Sequence, residues 1–490
     1  MQPLSFENYP KSKCQEKGVC YYLARINRQR FLIIEGDTAG FQGIRDAQTG
    51  QYNYPLTPEN AATLRERLPW LNPQPLGLAT SFGFGDRLGI ATPGHVAAIE
   101  GTDIAPIFAQ QSVRENRRTG RTPQIVLDDA MWGVFQMGWH APWGADADHV
   151  KEIADLPPFI EAGYSFYTID PNEYVDNEAH TDTTETLKAK VTNLPWEALG
   201  MTLAGLYQFY IENPVELDGF TLEFQEETLI RAAVKYGRAI AHIKSVSDYL
   251  VENVSEFDLE ASVDETDTPT TIIEHYYIAS ELRRLGVPFV SLAPRFIGSF
   301  EKGVDYIGDI DVFDAELEHH VAVMHHIGGY KLSIHTGSDK FSIYPSIASQ
   351  THSLAHVKTA GTSYLECLRV IAEIDKPFFR EILDFARSHY ETDRATYHVS
   401  GVLDEVPPAA DLSDDELPTL FDQFDARQVL HVTFGSVLDD YGPRLMDVLD
   451  ANQDLYNQFL KAHFKRHLKP FLGLPSRNTK KPKSFDRTNL

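Results

Sequence analysis

Cysteine is scarce in this chain, with three thiols (Cys14, Cys20 and Cys367) among 490 residues. So few, without a pairable framework, exclude a disulfide scaffold and fit a reducing compartment. Positive charge is also short, 44 Lys and Arg against 70 Asp and Glu, for a formal net charge of -26. Nonspecific binding to nucleic acid or to an anionic membrane needs a cationic surface, so neither is an expected partner. An anionic small molecule would need a local cluster of cations. Long apolar runs are missing too, none approaching the roughly 18 residues of a membrane span. The N-terminal MQPLSFENYPKSK lacks the charged-then-apolar order of a signal peptide. These absences point to a cytoplasmic protein. No biased tract precedes the last dozen positions, and 42% of residues are hydrophobic, so a large packed core is expected.

What the chain does have is repetition. From about residue 76 the pattern strand, polar loop, helix recurs through LGLATS, IAPIFAQQ, WGADADH, YSFYTID, FDLEASVDE, PFVSLAPRF, YKLSIHTG and LAHVKTAG. Eight buried strands alternating with amphipathic helices imply a parallel sheet, and right-handed crossovers close it into a (β/α)8 TIM-type barrel or a doubly wound sheet. Connecting helices are legible at TPQIVLDDAMWGVFQMGW, IIEHYYIASELRRLG and AELEHHVAVMHHIGG. A ninth strand candidate, ARQVLHVTFGS, is left over and competes with LAHVKTAG as the closing strand. Residues 1–75 form an N-terminal extension with a hairpin (YYLARI, RFLIIEGD) and a capped helix (TPENAATLRERLPW). The catalytic barrel is expected over 76–470, with a helical insertion at 172–250, and 471–490 as a flexible basic tail.

The barrel reading matters because such folds place their chemistry at the carboxyl ends of the strands. Six segments end there in polar, metal-capable or acid/base residues: His149, Asp170, Glu265, Arg295, His335 and His356. In GADADHVK a carboxylate, Asp148, sits beside an imidazole, His149, and the competing reading is a helix cap with a loop-bonded histidine. His149, His335 and His356 at matching strand ends form a three-histidine set for a divalent metal, with His431 the rival third ligand. Zinc, manganese, nickel and cobalt all suit such donors. Asp148 and Glu265 are the candidate acid/base pair. Asp170 fits a hydroxyl contact or an Asp-Pro turn, and Asp267, Thr268 and Thr270 read as caps. The cations Arg87, Arg295, Lys340 and Lys358 fit an anion, as do the amides of the helix opening at Gly361; salt-bridged loops are the plainer alternative. SFGFGDRLG imitates a dinucleotide loop, but ATPG interrupts the helix that should follow.

Taken together, LATSFGFGDRLGIATPGH, TGRTPQIVLDDA, WGADADHVK, FYTIDPNEYVDN, SVDETDTPTT, SLAPRFIGSFEKGVDYIGD, KLSIHTGSDKFS, HVKTAGTSYLE and HVTFGSVL resemble the tagaturonate epimerase family over about residues 75–470. The resemblance implies a divalent-metal enzyme that interconverts tagaturonate and fructuronate in hexuronate breakdown. It also implies Asp148 and Glu265 as the proton-handling pair, with His149 and later strand-end histidines at the metal. The inverted carbon lies two carbons from the ketone, so two routes stay open: retro-aldol cleavage with re-addition, or proton removal and return on opposite faces. A metal-dependent aldolase or keto-sugar isomerase, and a non-catalytic sugar-acid sensor, are the alternatives. Oligomeric state is not legible, although a homo-oligomer is compatible with the insertion.

Overall fold

Each repeat becomes a short parallel strand: Ser81–Phe84 (β1), Ala105–Ser112 (β2), Gly144–Val150 (β3), Phe166–Ile169 (β4), Asp258–Val263 (β5), Phe289–Pro294 (β6), Lys331–Ile334 (β7) and Ala355–Thr359 (β8). The structure, a computed structural model, describes residues 6–46, 50–359 and 361–473. The strands close into one barrel in the order β4-β5-β6-β7-β8-β1-β2-β3, all neighbours parallel. This is the (β/α)8 fold. Helices cover the outer face, which is why the strands read as near-continuous apolar runs.

Two expectations shift. The first strand is SFGF, not LGLATS. Leu76 and Gly77 instead donate their amides to the Asp258 carboxylate at 2.6 and 2.8 Å, forming a loop at the barrel floor. A Cβ at Gly83 would lie 1.9 Å from Gln110 Oε1, so this glycine makes room inside the barrel for a side chain of β2. Of the glycines that imitated a dinucleotide loop, Gly83 is thus a packing feature of β1, while Gly89, with φ 77°, turns the loop that follows it. The ninth candidate is not a strand: ARQVLHVTFGS falls in helices Phe424–Val432 and Phe434–Ala451. Short apolar runs do not separate buried strand from buried helix. LAHVKTAG supplies β8.

The connecting helices appear where expected: Pro123–Met137 (α1), capped by Thr122 and stopped by the left-handed Gly138; Ile272–Arg284 (α3), with a Thr271–Glu274 capping box; and Ile310–Ile327 (α4). The cap of α3 is therefore Thr271 rather than Asp267, Thr268 or Thr270. The segment after β4 contains helices Thr184–Val191 and Leu203–Tyr210, a small hairpin, and the long helix Glu226–Asn253 (α2). α2 packs on α3, with Lys235 Nζ buried 3.1 Å from Glu274 Oε1, so the insertion ends in the crossover helix that a parallel β4–β5 pair requires.

The N-terminal hairpin forms with Leu23 opposite Leu32 and a turn at Asn27 and Arg28, both in the left-handed region. Its layer, completed by helix Pro58–Arg67, is tied to α1 by a nearly buried ion pair of 2.5 Å between Arg65 and Asp128. It also reaches the C-terminal helix Gln453–Leu468 (α5) through a 3.0 Å hydrogen bond from Tyr9 to Gln453. The expected basic tail lies, from residue 474 onward, outside the described residues.

Candidate active site

Strand alternation alone would turn Asp148 and His149 to opposite faces. A bulge in β3 prevents this. Tyr167 pairs with Ala147 but Ile169 already pairs with Val150, and His149 absorbs the extra residue at φ 56°. Asp146 and Asp148 therefore point into the barrel while the His149 ring also turns to the mouth, its Nδ1 2.8 Å from Asp148 Oδ1. β5 contributes by plain alternation: Glu260, Ser262 and Asp264 share its inward face.

Lys358 of β8 organises these acids. Its Nζ lies 2.8 Å from Asp146 Oδ2, 2.7 Å from Asp148 Oδ1 and 3.1 Å from Glu260 Oε1, all four side chains being buried. Glu260 also contacts His335 Nε2 at 2.6 Å and accepts a hydrogen bond from Ser291 at 2.6 Å. Asp264 Oδ1 is 3.0 Å from His335 Nδ1, without hydrogen-bond geometry, so that buried nitrogen keeps an unused lone pair or proton. The rings of His149 and His335 are 4.9 Å apart.

The charges follow from these contacts. Burial pushes Asp148 and Glu260 up, but Lys358, with His149 beside the first and His335 beside the second, outweighs it and holds both well below the carboxylate range. Burial wins for Asp146, which is pushed up to about 7. His149 is opposed by burial, yet Asp148, Glu265 and Asp264 raise it to about 10. So acidic a surrounding suits a cation of higher charge than a proton. Among the described residues three groups have their ligand atoms within 4.8 Å of one another: His149, Asp264 and His335, and His149, Asp170 and Glu265, both at this mouth, and Asp339, His463 and His467, which do not line it.

A cavity of about 510 Å³ opens above, lined by Asp148, His149, Asp170, Asp264, Glu265, His335 and Lys358. Cations join them from helix Val113–Thr119 (Arg114, Arg117, Arg118), together with Lys151 and Lys302. An adjoining recess shares Asp264, Glu265, Lys302 and His335 and adds Arg295. Asp170 forms the expected turn, its Oδ1 accepting from Asn172 N at 3.0 Å, while the buried Oδ2 faces the cavity without a hydrogen-bond partner.

Four residues named as candidates from the sequence stand apart from the cavity lining. His356 lies one layer lower, its Nδ1 2.9 Å from Ser81 Oγ, beside a Lys331 ammonium bonded to Ser81 and to the carbonyls of Gly77 and Ala79. Burial drops His356 to about 3, and it joins none of the ligand groups above. Arg87 is bound to Glu115 at 2.7 Å and stacks 3.6 Å over Phe434. Lys340 is capped by the carbonyls of Glu301, Val304 and Ser338. His431 is buried on a helix, against Gly303 and Gly361. The helix start at Gly361 accordingly faces Arg87 and His431 and does not line the cavity.

Sequence reasoning missed Glu260, Lys302, Arg114 and Arg118. A signal existed for Glu260: Asp258, Glu260, Ser262 and Asp264 are polar at every second position of an otherwise apolar strand. The cations come from loops and a short helix, where periodicity carries no direction.

Residues 9–471 match the sequence model of a family described as UxaE: tagaturonate epimerase. The chain is 42% identical over 470 residues to the tagaturonate/fructuronate epimerase of Thermotoga maritima, covering 94% of this chain and 96% of that protein. It superposes with a TM-score of 0.90 and 36% identity on a glycerol-complexed crystal structure of fructuronate-tagaturonate epimerase UxaE from Cohnella laeviribosi, covering 95% of this chain and 96% of that one. The native crystal structure of the same protein gives the same score and identity.

Proposed function

Because the chain belongs to the tagaturonate epimerase family and is a carbohydrate epimerase, we propose that it interconverts D-tagaturonate and D-fructuronate with a divalent cation held at the barrel rim. The observation that carries this reading is the convergence of Asp148, His149, Glu265 and His335 on one cavity that also gathers cations. A hexuronate has a carboxylate to anchor, hydroxyls to bond and a ketone to polarise, and the cavity offers a group for each.

The donor set fits a cation. His149, His335 and Asp264 would hold it, with Asp170 and Glu265 as further oxygen donors, and the unsatisfied His335 Nδ1 and Asp170 Oδ2 are the buried atoms such an ion would engage. When bound, it would act as a Lewis acid towards the ketone oxygen; zinc, manganese, nickel or cobalt would serve.

The protein's own groups divide the remaining work. Lys358 keeps Asp148 ionised at the cavity wall, where it can accept a proton from substrate. Glu265 sits exposed just beyond the end of β5, one strand removed from β3, and lines the same cavity as the second candidate proton-handling group. Two routes use this pair. In one, a carboxylate takes the proton of the hydroxyl on the carbon to be inverted, the bond to the neighbouring carbon nearer the ketone breaks, and the aldehyde half turns before the bond re-forms. In the other, the two carboxylates remove and return the carbon-bound proton on opposite faces. Solvent deuterium distinguishes them: label at the inverted carbon eliminates pure retro-aldol chemistry. The function itself is tested by incubating pure, metal-analysed protein with tagaturonate and following fructuronate. Unchanged substrate in the presence of each of the four metals would sink the assignment.

A further inference from the structure

The cations at the cavity mouth differ in how far they are already engaged. Arg87 is paired with Glu115, and Lys358 is shared by three carboxylates. Lys151 reaches towards Asp170 and Glu173, at 3.9 and 3.7 Å. The guanidinium groups of Arg114 and Arg118 lie 5.2 and 5.0 Å from the ring centroid of Tyr397. Lys302 is unlike these. It lines both the main cavity and the adjoining recess, alongside Asp264, Glu265 and His335, and it makes no hydrogen bond or ion pair among the described residues.

The backbone around Lys302 is held from behind. Lys340 donates to the carbonyls of Glu301 and Val304, at 2.8 and 2.5 Å, and Arg427 Nε donates to the carbonyl of Gly303 at 2.5 Å. The Glu301 carboxylate accepts hydrogen bonds of 2.8 Å from Ser400 N, Ser400 Oγ and Gln428 Nε2. A loop fixed at 301, 303 and 304 holds the backbone at residue 302 beside the cavity, so the main chain there has little freedom left to lose on binding. Burial draws the ammonium below its ordinary value, with Glu115 and Asp148 opposing and Arg114 and Arg87 reinforcing the effect. An incoming anion would offset that penalty.

We propose that Lys302 binds the carboxylate of the hexuronate and makes the enzyme choose a sugar acid over the neutral ketose that carries a hydroxymethyl group in its place. This rests on the hexuronate reading above. The carboxylate-binding cation is then a residue of the β6 loop, and Lys340, expected from sequence to touch substrate, is its positioning residue.

The test uses the metal-loaded full chain and two neutral variants, Lys302→Met and Lys302→Gln, so that a fold defect peculiar to one does not decide the result. Both should raise KM for tagaturonate on the order of 10- to 100-fold, the scale of a lost charge-assisted hydrogen bond, with kcat changed far less. Lys302→Arg should recover part of the loss. Neutral D-tagatose, added as a competitor in the same assay, should keep its inhibition constant in all three variants. Wild-type KM in both neutral variants, or an equal weakening of tagatose, overturns the proposal, the second outcome marking Lys302 as structural. Failure of the wild-type enzyme on hexuronates would instead strike the functional reading, and it is read before any variant is made.

Discussion

Lys358 is one cation among three acids, and the surroundings divide them unequally. Asp148 and Glu260 stay ionised while Asp146 is pushed up to about 7. Replacing Lys358 with Met leaves these carboxylates buried without their counter-ion. Breaking a buried pair from one side costs about 3–5 kcal/mol, so a clear fall in melting temperature is expected even before activity is considered. Asp148→Asn keeps the volume and one acceptor but removes the base. Turnover should fall by about 100- to 10,000-fold, the usual contribution of general acid–base catalysis, with the folded circular-dichroism spectrum retained. Near-native kcat in this variant would remove Asp148 from the reaction.

At the scale of elements, the β6 loop carries a prediction of its own. Lys340→Met leaves three buried carbonyls, those of Glu301, Val304 and Ser338, without their shared donor. A destabilisation of about 1–3 kcal/mol should follow, together with a raised KM because residue 302 is no longer held; thermal melts and steady-state kinetics check the two effects separately. Lys340 also shows where sequence legibility ends. That it stands just past a barrel strand is readable from LSIHTGSDK; that it turns behind the loop rather than into the cavity is set by residues 36–39 positions away. The strands, connecting helices and convergence of Asp148, His149, Glu265 and His335 on one mouth were legible because period and strand-end position encode them. His356 was misplaced because it is the second residue of β8, so its depth, not its type, keeps it from the rim. The β3 bulge left no trace in the pattern, since the extra residue is an ordinary histidine.

The whole molecule answers to acid through its buried imidazoles. His95, bonded to Ser363 and stacked on Phe84, is lowered by burial to about 4, and His320 to about 3. Both are neutral in the fold, whereas the unfolded chain takes up protons near the ordinary histidine value of about 6.5. The unfolded state then binds more protons, so stability is complete above that value and falls as pH drops towards 4, by up to about 1.4 kcal/mol per pH unit for each such group. Denaturant midpoints at pH 7.5 and 5.0 should differ accordingly, and His95→Gln should shrink the difference. A pH difference left unchanged by His95→Gln would contradict the burial of that ring.

The N-terminal layer touches the far end of the chain: Tyr9 bonds to Gln453 across 444 positions, and Arg25 to the carbonyl of Asp450. During synthesis, this segment emerges before residues 450–453 and lacks those partners until they too have been made. Contacts so remote make folding slow and leave apolar surface waiting. The hairpin is therefore a clasp fastened last, and ribosome-stalled chains ending before residue 450 should expose it to protease while the released protein protects it.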